Sequence, residues 1–269
     1  MIIDFHTHIF PEKIAGKTLD FLSGRCQTIP FTDGTAKGLL QSADSAKIDL
    51  SIALPVVTKP SQFESINRFA SHICESKLLS FGGIHPDSTD YKTELRTIKE
   101  SGLVGIKLHP AYQETDFCDI KYKRILSYAE ELGLITVVHA GFDPGYPDKI
   151  YCTPAMAKEV IEEVHPEKLV LAHMGGYRCW DEVEKHLAGT NVFFDTAVVL
   201  GEMEEEQFIR ICRNHGIEKI LFATDSPWAG QKESIDRLNA FQLTKEEKKK
   251  IFSENARNLL TSTGDCANL

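Results

Sequence analysis

Four short apolar segments of the sequence each end in a side chain that can bind a metal ion or carry a proton. These segments are Met1–His8, Leu134–His139, Leu169–His173 and Lys219–Asp225. Side chains alternate between the two faces of a β-strand, so residues two apart share a face. If each segment is a strand, its terminal His or Asp is the last residue on the inward face. Parallel strands that close into a barrel would bring these side chains to one mouth.

The alternation makes a specific prediction for the first segment. It places His6 and His8 on the same face as Asp4. It places Ile3 and Phe5 on the opposite face. We therefore expect Asp4 to point into the barrel together with the two histidines.

The residue types at these strand ends suit a catalytic divalent metal. Zinc favours imidazole nitrogen and carboxylate oxygen, and a catalytic site leaves one position for water. His6 and His8 can both point at one ion, to which His139 would add a third nitrogen and Asp225 an oxygen. His173 would lie beside them as a fourth histidine. Zinc is the first expectation, although manganese and iron accept the same ligands.

Lys107 is expected to point into the same interior. Lys107 and His109 share one face of their segment, whereas Ile106 and Leu108 form the apolar face that should meet the helices. A charged lysine inside a barrel is costly unless it is paired or modified. Lys107 would then pair with Asp4 or with a substrate carboxylate. His109, at the strand end, either contacts substrate or caps the following loop.

Eight β-rich segments alternate with helical patterns along the chain, which predicts an α/β fold with a (β/α)8 barrel. No glycine-rich phosphate-binding turn of the kind that marks an open nucleotide-binding sheet is present. We predict a single domain over residues 1–269. The candidate strands are Ile2–His8, Leu50–Leu54, Leu79–Ile84, Val104–His109, Leu134–His139, Leu169–His173, Asn191–Thr196 and Lys219–Asp225, and the helical patterns include Gln62–Ser76, Asp119–Leu132, Ala155–His165, Asp181–Leu187, Glu204–His215 and a closing helix Lys245–Leu260 followed by a polar tail.

Two long segments follow strands one and five, Phe10–Gly34 and Gly141–Thr153. Active sites of (β/α)8 barrels are built from the loops at the C-terminal ends of the strands. We expect both segments to be loops at the mouth that select the substrate. Arg178, after strand six, is a candidate for gripping a substrate carboxylate.

The composition excludes several classes of partner. The net charge is −9 with no basic cluster, which argues against binding to nucleic acid or to anionic membranes. No apolar stretch has the length of a membrane-spanning helix or the form of a signal peptide. Seven cysteines without paired spacing indicate reduced thiols. We therefore expect a cytoplasmic protein that acts on a small molecule.

Five motifs together resemble the amidohydrolase superfamily. They are D-F-H-T-H, G-I-K-L-H-P, V-V-H-A-G, L-A-H-M-G-G and A-T-D-S-P-W, and the resemblance extends to N-A-R-N-L-L near the C-terminus. The branch most similar is the amidohydrolase-related (amidohydrolase 2) family, which also contains decarboxylases of the aminocarboxymuconate-semialdehyde type. These motifs are specific for the superfamily but do not identify a substrate. Members are often oligomers, so a homo-oligomer is implied as well.

The resemblance implies roles for individual residues. His6, His8, His139 and Asp225 match the metal ligands of the family. His173 matches a histidine that polarises water or substrate in one-metal members and binds the second ion in two-metal members. Asp225 would also carry a proton. Lys107 lies where other amidohydrolase branches have a carboxylated lysine that bridges two metals, so one ion is expected, or two if Lys107 is carboxylated.

Two activities are compatible with these residues. The leading expectation is a metal-dependent hydrolase in which an activated water attacks an amide, ester or lactone bond of a small molecule. Asp225 would shuttle the proton and His173 would stabilise the oxyanion. The alternative is a metal-dependent, non-oxidative decarboxylase of a small carboxylic acid. The same ligands serve both reactions, so the site residues do not separate them.

Overall fold

Parallel β-strands form the centre of the structure, a computed structural model that describes residues 1–264. The polar tail at 265–269, which belongs to the predicted domain, lies outside the described residues. One hydrogen-bonded series runs in the order β1 (Ile3–Thr7), β2 (Leu50–Ala53) and β3 (Leu78–Ser80). The second series runs β4 (Gly82–Gly83), β5 (Gly105–Leu108), β6 (Ile135–Val138), β7 (Leu169–Leu171), β8 (Phe193–Asp195) and β9 (Ile220–Leu221).

Backbone hydrogen bonds join the two series into a closed barrel. Phe81, the one residue between β3 and β4, donates from its amide to the carbonyl oxygen of Ala53 at 2.9 Å. These two strands are therefore halves of one interrupted strand. On the other side, the Phe5 amide donates to the carbonyl oxygen of Phe222 at 2.9 Å and links β1 to the last strand. The predicted eight-stranded (β/α)8 barrel is confirmed.

Helices surround this barrel, and several of them begin at a side-chain cap. Thr35, Asp119 and Thr153 each accept a hydrogen bond from a backbone amide in the first turn of the helix that follows. No helix among residues 1–264 is long and apolar enough to cross a membrane. The helices are α1 (Glu12–Cys26), α2 (Ala36–Ala46), α3 (Phe63–His72), α4 (Tyr91–Glu100), α5 (Ile120–Glu131), α6 (Pro154–Val164), α7 (Trp180–His186), α8 (Glu205–His215), α9 (Gln231–Ala240), α10 (Lys245–Lys249) and α11 (Asn255–Thr261).

The predicted closing helix is confirmed with one modification. A π-helical stretch, Lys250–Glu254, connects α10 to α11. In α11, Leu259 and Leu260 are buried and join the cluster that fills the barrel. Since α11 contacts both β1 and β9, it supports the seam where the barrel closes.

The segment Phe10–Gly34 differs from the prediction of a loop. Most of it is α1, a helix of 15 residues. Its first turn follows Pro11 and has no side-chain cap, and its interior contains Gly16 and Gly24. Glycine in a helix interior costs about 1 kcal/mol relative to alanine, so the local signals for this helix are weak. Packing over the barrel mouth, where α1 lines the central cavity, is the environment in which it forms.

The side-chain alternation predicted for β1 is wrong. Ile3 and Phe5 belong to the inner cluster, with Phe81, Val137 and Leu221. Asp4 instead accepts hydrogen bonds from the Thr224 amide and hydroxyl and from Gln231 of α9. The register of β1 against β2 shifts between Asp4 and Thr7. Such an irregularity resets which side chains face inward, so counting residues backwards from His6 gives the wrong face.

Candidate metal centre and active site

Two histidines and an aspartate converge at the C-terminal mouth of the barrel. His6 Nε2 lies 3.1 Å from His8 Nε2, and Asp225 Oδ1 lies 3.2 Å from the first nitrogen and 3.1 Å from the second. Ligand atoms that surround one ion at zinc-like bond lengths lie about 3.0–3.4 Å from one another. The triangle formed by His6, His8 and Asp225 therefore has the dimensions of one face of a coordination sphere.

The hydrogen bonds on the far side of each ring determine where the protons are. His6 Nδ1 faces Asp195 Oδ2 at 2.9 Å, and His8 Nδ1 faces the carbonyl oxygen of Leu54 at 2.8 Å. Both partners are acceptors, so each Nδ1 carries the proton and each Nε2 presents a lone pair. Together with the Asp225 oxygen, three electron-pair donors point at one another. A divalent cation fits such a set.

The remaining two histidines of the predicted site are adjacent. His173 Nδ1 donates to the carbonyl oxygen of Ala197 at 3.0 Å, and its Nε2 lies 3.0 Å from His139 Nδ1. His139 Nε2 is buried without a hydrogen-bond partner, and its distance to Asp143 Oδ2 is 3.6 Å. The His173 ring lies 5.5 Å from the His6 ring, so this pair borders the triangle. The ligand role of His139 stays a prediction.

His109, His139 and Asp143 form a second group of metal-binding residue types. The two imidazoles stack with their ring centres 4.2 Å apart, and His109 Nε2 lies 3.5 Å from Asp143 Oδ2. However, His109 Nδ1 accepts a hydrogen bond from the Tyr112 amide, which leaves the proton on Nε2. His109 thus caps the loop that follows its strand, which is one of the two predicted roles, and it also lines the cavity. With one ring nitrogen hydrogen-bonded and the other protonated, it has no free lone pair for a metal.

Lys107 points into the barrel as predicted but does not pair with Asp4. Its Nζ lies 3.1 Å from His6 Nε2, and no described carboxylate lies within ion-pair distance. Burial lowers the pKa of Lys107 to about 8, although Asp195 and Asp225 favour its charged form. A substrate carboxylate and a carboxylated lysine that bridges two metals both stay predictions for this residue.

Charge and backbone conformation both mark Asp225. Burial acts to raise the pKa of this carboxyl group, whereas positive charge on the imidazoles of His6 and His8 acts to lower it and outweighs burial. Asp225 and His173 also have positive φ angles, 69° and 60°. Residues other than glycine adopt this conformation at a cost of order 1–3 kcal/mol, and such residues cluster at functional sites.

The sequence reasoning did not identify Asp195, which is fully buried beneath the site. Its Oδ2 accepts from His6 Nδ1, while its Oδ1 accepts from the amides of His173 at 2.9 Å and Ala197 at 3.1 Å. A carboxylate behind a ligand histidine fixes the tautomer and orientation of the ring. The only local signal was its position at the end of the apolar run F-F-D-T, which matches the other strand ends.

The triangle opens into a cavity of about 1590 Å³. Apolar residues form much of its wall, among them Phe10 from the β1 end, Phe31 and Trp228. Arg178, the candidate for gripping a carboxylate, is instead paired with Glu202, to which Nε and Nη2 donate at 3.2 and 3.1 Å. The cavity is concave and larger than the roughly 300–1,000 Å³ typical of small-molecule sites, so it has room for a small molecule.

A parallel barrel with histidine and aspartate ligands at its C-terminal mouth defines a class of metal-dependent enzymes. The family model described as amidohydrolase matches residues 3–261. The chain therefore belongs to the amidohydrolase family, and the resemblance read from the five motifs is confirmed. No curated protein matches the chain in sequence.

Solved structures with the same fold are distant in sequence. A 2,6-dihydroxybenzoate decarboxylase in complex with 2,6-dihydroxybenzoate is 17% identical, with a TM-score of 0.73 over 97% of this chain and 99% of that one. A dihydroxybenzoic acid decarboxylase from Polaromonas, with bound manganese, is 16% identical with a TM-score of 0.72 over 97% and 96%. A candidate 2-pyrone-4,6-dicarboxylic acid hydrolase from Pseudomonas putida is 14% identical with a TM-score of 0.69 over 97% of each chain.

Proposed function

We propose that the protein is a divalent-metal-dependent decarboxylase that removes CO2 from a small aromatic carboxylic acid without an oxidant. The observation that carries this proposal is the proton-free triangle of His6, His8 and Asp225 at the floor of a largely apolar cavity. The dihydroxybenzoate decarboxylases of the same fold support it. Their chemistry favours decarboxylation, which the sequence ranked second, over hydrolysis.

The reaction balances without an oxidant, and the cavity provides a suitable environment for it. The carbon–carboxylate bond breaks, its electron pair stays on the ring carbon, a proton takes the vacated position and neutral CO2 leaves. A low-polarity wall favours the loss of a charged carboxylate as a neutral product, because burying the charge is costly. A bound zinc or manganese ion would supply an electrophile for the oxygens of the substrate.

We assign the proton transfer to Asp225 and a positioning role to His173. Asp225 Oδ1 faces the site and has no hydrogen-bond partner among the described residues, so it can take a proton from an acidic group of the arriving substrate and hand it to the ring carbon. His173 cannot turn freely, because its Nδ1 donates to the carbonyl oxygen of Ala197 and its amide donates to Asp195. Its Nε2 therefore stays directed at His139 Nδ1, which it holds in place beside the triangle.

The test is release of CO2 from 2,6-dihydroxybenzoate and from a panel of hydroxylated benzoic acids, with protein loaded with Mn²⁺ or Zn²⁺. We expect CO2 and the decarboxylated ring in equal amounts, and a loss of about 10²–10⁴-fold in kcat for Asp225→Asn. The Asp33→Asn variant, changed at an exposed carboxylate on the surface, is the matched control. Metal-loaded, folded protein that releases no CO2 from any member of the panel would contradict the proposal.

Hydrolysis of an ester, lactone or amide is the second candidate. The structural similarity to the candidate 2-pyrone-4,6-dicarboxylic acid hydrolase favours it. An ionised Asp225 beside a metal site could equally accept the proton of an activated water. The test is to incubate the protein with a pyrone carboxylic acid and to monitor the absorbance of the ring. Ring opening without release of CO2 would establish hydrolysis instead of decarboxylation.

A further inference from the structure

An arginine on α1 is held at the mouth of the cavity by two contacts that leave its terminal nitrogens free. Arg25 donates from Nε to the carbonyl oxygen of Gly145 at 2.8 Å. Its guanidinium lies over the ring of Tyr146, 4.1 Å from the ring centre. A Cβ at position 145 would lie 3.3 Å from Arg25 Nε, so glycine there permits the close approach. These contacts fix the plane and the direction of the guanidinium.

The two Nη atoms of Arg25 have no hydrogen bond or ion pair with any described residue, and the side chain lines the cavity. Arg178, near the same mouth, differs because its guanidinium is already used by Glu202. A planar guanidinium with a free pair of terminal nitrogens binds a carboxylate with two parallel hydrogen bonds. Arg25 is therefore ready to bind an anion from the cavity.

A row of neighbouring aromatic rings leads from Arg25 to His139, beside the metal centre. Tyr146 lies 5.6 Å from Tyr112, Tyr112 stacks on His109 at 4.0 Å, and His109 stacks on His139 at 4.2 Å. The row forms one wall of the cavity, with the arginine at one end and His109 and His139 at the other. A flat molecule that lies along this wall would have the guanidinium on one side and the histidines on the other.

We propose that Arg25, held by Gly145 and Tyr146, forms a subsite for a second anionic group of the substrate, which makes the substrate a dicarboxylic acid with a flat ring. This rests on the proposed function for the first carboxylate, which would lie at the metal centre near Lys107. The chain has a net charge of −9, so an anion needs local cations to enter the cavity. Arg25 and Lys107 are cations that make no ion pair with a described carboxylate, although Asp143 interacts electrostatically with Arg25, and Asp195 and Asp225 with Lys107.

The experiment measures binding, so it does not depend on turnover. The Kd values of benzoate, phthalate, isophthalate and terephthalate are measured by calorimetry on metal-loaded protein. The variants are Arg25→Met, Arg25→Lys and Lys17→Met. Lys17 lies on the same helix and is exposed, as Arg25 is, but it does not line the cavity, so Lys17→Met removes the same charge away from the proposed subsite. Thermal melting of each variant confirms that it is folded.

We expect at least one dicarboxylate to bind the wild type about 10-fold or more tightly than benzoate, because a tenfold change in Kd, about 1.4 kcal/mol, is within what one hydrogen bond to a charged group contributes. Arg25→Met should reduce this preference to about 2-fold or less without changing the Kd of benzoate. Arg25→Lys, which keeps the charge but lacks the paired nitrogens, should lose part of the preference, and Lys17→Met should keep it.

Two results would overturn the subsite: no dicarboxylate preferred over benzoate by the wild type, or a preference that persists in Arg25→Met. A third result, equal loss in Arg25→Met and Lys17→Met, would overturn it by assigning the effect to net charge. Preference for a dicarboxylate without release of CO2 would support the subsite and contradict the decarboxylase. The failures of the two proposals are therefore distinguishable.

Discussion

At the scale of single residues, the proton positions decide what the site can bind. Asp195 occupies a central place because one carboxylate satisfies three donors, His6 Nδ1 and the amides of His173 and Ala197. It thereby keeps the lone pair of His6 Nε2 directed at the triangle. Burial raises the pKa of Asp195, although the nearby His173 and Lys107 oppose the shift. Its contribution is to position a ligand.

We expect Asp195→Asn to raise the Kd for Zn²⁺ or Mn²⁺ by about 10–100-fold, as is typical when the hydrogen-bond partner of a ligand histidine is lost. An amide has one acceptor oxygen, so it cannot serve His6 and the two backbone amides together. The measurement is competition with a chromophoric chelator. Asp33→Asn, at an exposed carboxylate, is the control, and an unchanged Kd for Asp195→Asn would contradict the assigned role.

The number of metal ions per chain follows from the same reasoning. The triangle offers three acceptors, whereas His109 in the second group holds its proton on the nitrogen that faces Asp143. We therefore expect one equivalent of metal by elemental analysis, lost in the His6→Ala, His8→Ala double variant and retained in Lys107→Met. Two equivalents that fall to one in Lys107→Met, with a carboxylated lysine in the intact mass, would instead establish a bridged pair.

At the scale of elements, the seam between β1 and β9 positions the triangle, since His6 lies in β1, His8 directly follows it, and Asp225 lies in the segment after β9. Asp4 holds this seam, because it is fully buried and accepts from the Thr224 amide at 2.9 Å, its hydroxyl at 2.7 Å and Gln231 Nε2 at 2.8 Å. The last of these bonds also attaches α9. Because the register shift in β1 turns Asp4 outward, its carboxylate connects β1, the segment after β9 and α9 below the site.

Asp4→Ala is expected to destabilise the protein by about 2–4 kcal/mol, because it leaves buried donors without an acceptor and each such group costs roughly 1–3 kcal/mol. Urea denaturation at neutral pH gives the free energy of unfolding. Asp44→Ala, which removes an exposed ion pair with Lys77, should change it by no more than about 1 kcal/mol. Equal effects of the two substitutions would show that the seam does not depend on Asp4.

At the scale of the whole molecule, closure of the barrel brings opposite ends of the chain to one metal site. His6 lies near the N-terminus and Asp225 near the C-terminus, and the Asp225 amide donates to the carbonyl oxygen of His6 at 2.8 Å. A metal bound by both would therefore hold the barrel closed. Binding to the folded state alone stabilises a protein by an amount set by ligand concentration over Kd.

Removal of the metal with a chelator should lower Tm by about 5 °C or more. Metal at 100 times its Kd contributes about 2.7 kcal/mol, and a domain of this size shifts by roughly 2–4 °C for each kcal/mol. Differential scanning calorimetry with and without chelator measures the change. The His6→Ala, His8→Ala variant should not respond to the chelator; a comparable response there would place the stabilising metal elsewhere.

Much of this molecule is predictable from local sequence. The alternation of apolar and polar residues places Lys107, His139 and Asp225 on the inner face, because side-chain direction alternates along a regular strand. Gly102 and Gly133, which follow α4 and α5 and precede β5 and β6, have positive φ angles of 78° and 70°, a conformation for which glycine is common at helix C-termini.

Tertiary structure alone decided the rest, because it depends on partners remote in sequence. The register shift that turns Asp4 outward arises from pairing with β2, and no pattern within β1 reveals it. Asp195 belongs to the site because it accepts a hydrogen bond from His6, and Arg25 is held at the cavity because it donates to the carbonyl oxygen of Gly145. Both hydrogen bonds join parts of the chain that are distant in sequence. Residue type and spacing determine which chemistry is available, whereas packing between elements determines the proton positions, the free donors and hence the substrate that fits.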